Sequence, residues 1–150
     1  MDAWYVWLGL AVASAATFGV ASSLPTAAPP DAVGVAKTVD STAASQHAAV
    51  GKHPTPNAAA VRVGHREVSL RGPGGTAHAT LGYGPVTPVG DDDRLAAVLH
   101  GESPARAFES PDAFRRALHQ QQAADPQWIE TDSVVVRRLS WEGTDAVLVG

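Results

Sequence analysis

The sequence predicts an α+β protein with an N-terminal transmembrane helix. A Pro-rich stem with one short helix follows, and then a small antiparallel sheet with two helices, in the order β-hairpin, helix pair, β-hairpin. Three observations carry this expectation. No charged residue interrupts Ala3 to Leu24; Pro25, Pro29 and Pro30 follow at once; and beyond Ala60, alternating apolar stretches flank two capped helical patterns. The expected organisation is therefore a span over residues 1–24, a Pro/Ala-rich stem over 25–59 and a head domain over 60–150.

A helix from Ala3 to Leu24 would be about 33 Å long, enough for a hydrocarbon layer of about 30 Å. Trp4, Tyr5 and Trp7 cluster at its start, where amphipathic rings favour the headgroup level. A cleaved secretory signal opens with Lys or Arg and has a shorter apolar region, whereas this chain opens Met1-Asp2, so retention of the segment is expected. Gly9, Ala13, Ala16 and Gly19 offer small surfaces for close helix packing and hence for a homo-oligomer formed through the span. Lys37 is the one basic residue near the segment. The Pro-rich stem and the β-rich, Cys-free tail favour a head outside the cell, on a single-pass protein of the cell membrane.

In the stem, Asp31 is an N-cap and Ala32, Val35, Val39, Ala43 and Ala44 share a face, which predicts a helix over 32–50 closed by Gly51. "KHPTPNAAA" reads as a loop. In the head, "AVRVGHREVSLRG" alternates as one bent strand or two short ones, with Val61, Val63, Val68 and Leu70 inward. "GPGG" is the turn, and "TAHATLGYGPVTPV" returns as the second arm of the hairpin. "DDDRLAAVLHG" has acids at a helix start and a Gly stop. In "SPDAFRRALHQQQAAD", Ser110 caps, Pro111 takes the first helical position, and Phe114 and Leu118 form the buried stripe. Val134 to Trp141 and Ala146 to Val149 flank "EGTD" as the closing hairpin.

Composition limits the function. The 150 residues carry a formal charge of −4 and a pI near 5.8, with Lys and Arg in ones and twos, so no basic field exists to hold nucleic acid. The absence of Cys removes disulfides, thiolate nucleophiles and Cys-based metal sites. His47, His53, His65, His78, His100 and His119 lack the i, i+4 helical or alternate-strand spacing of a metal site. Asp91, Asp92 and Asp93 suit a helix start better than a calcium loop. "GPGG" has neither the strand-to-helix context nor the Lys-Ser/Thr ending of a phosphate cradle, and no G-x-S-x-G elbow occurs. Arg115 with Arg116, and Arg137 with Arg138, read as solvated faces; Trp128 and Trp141 read as core or interface anchors. No catalytic, cofactor-binding or metal-ligating residue is therefore expected, and no cofactor. An enzyme would require "GDDD" to meet distant histidines around a pocket.

The combination of "DAWYVWLGLAVASAA", "GGTAHATLGYGPVTPV" and "RRLSWEGTDAVLVG" resembles a haloarchaeal family of short single-span membrane proteins without an assigned function. That family is similar in plan to archaeal pilins and to accessory subunits of archaellum and pilus machines. The resemblance implies a non-enzymatic, membrane-anchored envelope protein, an accessory or interaction component of a cell-surface or type IV pilus-like system. Membrane lipid and a protein partner in the envelope are its implied partners. A pilin-like filament subunit or a processed secreted protein is the alternative. The chain lacks a Lys-Gly or Arg-Gly processing site ahead of the apolar run, and Pro25, Pro29 and Pro30 interrupt the long helix on which filaments are built.

Overall fold

A computed structural model describes residues 7–12 and 27–150 of the chain. Residues 7–12 are helical, and residues 27–150 carry four helices and eight strands. The helices are α1 (Ala32–Ala43), α2 (Asp93–Leu99), α3 (Pro104–Ala107) and α4 (Pro111–Ala123). The strands are β1 (Ala49–Pro54), β2 (Ala60–Val63), β3 (Glu67–Gly72), β4 (Gly75–Thr80), β5 (Thr87–Pro88), β6 (Trp128–Glu130), β7 (Ser133–Trp141) and β8 (Thr144–Val149). They form two four-stranded sheets, sheet I in the order β1-β7-β8-β5 and sheet II in the order β4-β3-β2-β6.

Sheet I is the middle layer, because its strands bury both faces. On β7 and β8 the alternation places Val134, Val136, Val147 and Val149 on one side and Val135, Leu139, Ala146 and Leu148 on the other. The first side packs with α1 and the inner face of sheet II, namely Val61, Val63, Val68 and Leu70. The second side packs with α2, α3 and α4 through Leu95, Val98, Leu99, Phe108, Phe114 and Leu118. Two apolar cores therefore share one sheet. In the second core, Phe114 meets Phe108 and Trp141 edge to face, with centroids 5.3 and 5.7 Å apart.

Local chemistry sets the element ends. Asp31, Asp92 and Ser110 cap α1, α2 and α4 by accepting from the amides of Gly34, Leu95 and Ala113. The β7–β8 hairpin turns through Glu142 and Gly143, both at positive φ (47° and 76°), the two-residue geometry that matches strand twist. The β3–β4 hairpin turns through Pro73 and Gly74 between Gly72 and Gly75. α1 buries Ala32, Val35, Ala36, Val39 and Ala43 as a stripe of small residues, which lets it lie close on β1. At Gly51 of β1 a Cβ would collide with the Thr42 hydroxyl, so this approach requires glycine.

Adjacent arginines of β7 grip helices on opposite faces of the sheet. The Arg137 guanidinium donates to the carbonyls of Val98 and Glu102, at the end of α2 (2.9 Å to Glu102). The Arg138 guanidinium donates to the carbonyl of Ala43, the last residue of α1. Arg138 supplies a donor to a carbonyl at the end of α1, and Arg137 adds a side-chain donor to Val98, which also accepts from the Gly101 amide, and to Glu102 in the turn after α2.

Several expectations are corrected. The transmembrane helix over 1–24, and with it the single-pass membrane placement, is not supported: among the described residues no helix is long and apolar enough to cross a membrane. The helical stretch described there, residues 7–12, would measure about 9 Å against a layer of about 30 Å. The rest of that segment, residues 1–6 and 13–26, lies outside the described residues. The helix expected over 32–50 ends at Ala43, because residues 49–54 pair instead with β7, from Ala49 opposite Arg138 to Pro54 opposite Ser133. The nine-residue β7 needs a neighbour on the side away from β8, and β1 satisfies its backbone there. Residues 32–54 are thus part of the head's packing, with α1 in the same core as sheet II. The expected single antiparallel sheet with two helices is in fact two sheets, and β5 joins β8 in parallel. The first hairpin is β3–β4, over 67–80, with β2 beside it.

Two substitutions test this account. Phe114→Ala removes a fully buried ring that joins two aromatic neighbours, and is expected to cost roughly 3–5 kcal/mol in urea denaturation. Arg137→Ala removes the guanidinium bonds to the Val98 and Glu102 carbonyls, of which Val98 keeps the Gly101 amide, and is expected to cost about 1 kcal/mol in the same assay. Losses well under 1 kcal/mol from Arg137→Ala would show that water replaces the guanidinium without penalty.

Candidate functional site

The structure places some of the residues singled out from the sequence. Trp4, Tyr5, Ala13, Ala16 and Gly19 lie outside the described residues. Trp7 is 71% exposed, and a Cβ at Gly9 would have nothing within 4 Å. Of the acidic run, Asp92 caps α2 and pairs with Arg94 at 3.4 Å, whereas Asp91 and Asp93 are exposed. His47, His65, His78, His100 and His119 are exposed on separate elements, and among the described residues no group of three or more acids and histidines is placed to hold a metal ion. Arg115 pairs with Asp112 within α4, and Arg116 donates to the Asp112 carbonyl. Arg137 and Arg138 are structural donors, as described above. Trp141 belongs to the second core.

His53 differs from the other histidines. It is half-buried on β1, with Nδ1 3.2 Å from the Thr38 hydroxyl and Nε2 3.7 Å from the Asp31 carboxylate, both on or beside α1. An acid, an imidazole and a hydroxyl in line invite comparison with a nucleophile and its base. Here the Thr38 hydroxyl donates to the Gly34 carbonyl at 3.0 Å, so its proton is already engaged and its oxygen faces the ring as an acceptor. Asp31, meanwhile, caps the helix. A side chain at Gly34 would strike both Asp31 and the imidazole, so the glycine lets β1 approach the start of α1. The trio is a strut between strand and helix. The sequence held no spacing signal for it, because the pairing of β1 with β7 is what places His53 under α1.

A cleft of about 190 Å³ with mainly apolar walls opens between the two sheets. Val61 and Val63 of sheet II form one wall, Pro88 and Val149 of sheet I the other, and Trp128 and Ile129 of β6 line its side. Gln121, Asp125 and Gln127, from the end of α4 and the loop after it, and Asp91, before α2, contribute polar groups. Ile129 is 41% exposed although its register partner Val61 is buried, because among the described residues no strand lies beyond β6. The cleft is too small for a cofactor or drug-sized ligand, which occupy about 300–1,000 Å³. It exceeds the roughly 150 Å³ apolar cavity that accommodates benzene. Its size therefore fits one large side chain.

On the opposite face of β6 the chemistry changes sign. The guanidinium carbons of Arg62 and Arg71 lie 5.0 and 4.7 Å from the Trp128 ring centroid, so two cations stack on one indole. Arg62 and Arg71 are thereby held on the outer face of sheet II, and no Lys or Arg lines the cleft. Elsewhere, the buried Thr55 hydroxyl has no hydrogen-bond partner among the described residues, and it does not line the cleft.

No curated protein and no solved structure matches the chain. A family model does match, over residues 1–139, and its description is a family of unknown function, DUF7283. That match spans everything from the N-terminus to Leu139 on β7, and the chain belongs to the DUF7283 family.

Proposed function

We propose that the chain is a non-enzymatic interaction protein that takes an apolar side chain of a protein partner into the cleft between its two sheets. One observation carries this: an apolar opening of side-chain size beside the free edge of β6. An edge strand next to a side-chain pocket supports the recognition of an extended peptide, whose backbone adds to the sheet while alternate side chains are read by the pocket. The Asp31, His53 and Thr38 trio supports the non-enzymatic reading, since its hydroxyl proton is committed within α1. The resemblance to accessory subunits of surface filaments makes an adaptor of such an assembly the setting proposed for this binding.

Selection of displayed random peptides on the immobilised full chain tests the reading. The expected result is enrichment of peptides carrying one large aliphatic or aromatic anchor, with capture lost on Ile129→Ser. Ile129 is substantially exposed, so this change should leave the unfolding midpoint nearly unmoved. Enrichment that survives Ile129→Ser, or no enrichment of apolar anchors, would overturn the proposal.

A further inference from the structure

The polar groups around the cleft identify the partner's chemistry, an inference that rests on the interaction reading above. Asp91 and Asp125 are both exposed and both line the opening. Neither carboxylate takes part in an ion pair or a side-chain hydrogen bond found among the described residues, whereas nearby Asp92 is occupied by Arg94 and by the start of α2. The remaining polar lining, Gln121, Gln127 and Thr131, is neutral. Of the neighbouring cations, Arg94 pairs with Asp92 and lies over the Phe108 ring, Arg116 donates to the Asp112 carbonyl, and Arg62 and Arg71 stack on Trp128. Asp91 and Asp125 are thus the charged side chains that line the cleft.

We infer that the cleft recognises a basic-apolar segment: an extended stretch of a partner protein that places one aliphatic or aromatic anchor between the sheets, flanked by Lys or Arg facing Asp91 and Asp125. The apolar walls supply the anchoring and the carboxylates select the flanks, since charge complementarity at a rim governs partner choice and encounter more than total affinity. The same logic decides against a second copy of this chain as occupant. Its exposed apolar stretch at residues 7–12, with Trp7, Leu8, Leu10 and Val12 all more than half exposed, has no basic residue between Ala3 and Leu24 to offer the two carboxylates.

Calorimetric titration of the full chain with three capped peptides tests the inference. The peptides are acetyl-Lys-Val-Leu-Val-Lys-amide, its Glu-flanked counterpart, and acetyl-Trp-Leu-Gly-Leu-Ala-Val-amide, which copies residues 7–12. At low ionic strength the Lys-flanked peptide is expected to bind about tenfold more tightly than the Glu-flanked one. High salt should shrink that ratio, and the Asp91→Asn, Asp125→Asn double variant should bring it close to one. Equal binding of the two flanked peptides, a ratio unchanged by the double variant, no binding of the Lys-flanked peptide, or tightest binding of the 7–12 peptide would each overturn the inference. Equal binding that still vanishes on Ile129→Ser would leave the interaction reading standing and remove only the charge selection. A display selection without any Ile129-dependent ligand would remove the reading itself.

Discussion

Arg137 and Arg138 stand side by side on β7 and reach in opposite directions, one to the end of α2 and the other to the end of α1. The geometry follows from a strand covered on both faces, since successive side chains of a strand point to opposite sides. In the middle of such a strand two consecutive cations would ordinarily be costly. Here each lies at the margin of a core, beside the carbonyls at and just after a helix end. The pair thus ties both outer layers to the central sheet. The apolar stripes of α1 and α2 seat the helices, and the guanidiniums add a polar link at each helix end.

The cleft is a geometric by-product of the same arrangement. Two sheets share a core near α1, where small side chains and Gly51 allow close packing. The cleft opens between Val61 and Val63 on one sheet and Pro88 and Val149 on the other, beside the three-residue edge strand β6. Trp128 holds the two guanidiniums on the outer face of sheet II, while Ile129, the next residue, lies on the inner face beside Val61.

Much of the C-terminal half was legible in the sequence. Ser110 and Pro111 marked the start of α4, Phe114 and Leu118 its buried stripe, and Glu142-Gly143 the last turn, because each signal is local and each agrees with the final packing. The segment after Ala43 was not legible in the same way. Its Ala-rich pattern fits a helix, and what makes it a strand is a partner at the other end of the chain. The cleft was also hidden, since its walls come from four separate strands and the signs of its rim depend on which arginines the indole retains. Trp128 drew notice as an anchor; Ile129 carried no signal at all. For the apolar segment at the start, composition gave a length that a membrane could accept, while the described helical part is six residues, 7–12.

The pairing of β1 with β7 has a consequence for how the chain is born. Ala49 meets Arg138 across roughly ninety residues of sequence. During synthesis α1, β1 and the first three strands of sheet II emerge early, but the sheet that buries them is completed only when the last quarter of the chain has left the ribosome. Until then the valines of α1 and sheet II lack half of their core. The second core draws on residues 89 to 148 alone, so its helices wait a far shorter time for their sheet. Long-range closure slows folding and prolongs the exposure of apolar surface. The N-terminal layers are accordingly the part of the nascent chain with most to gain from a holding chaperone.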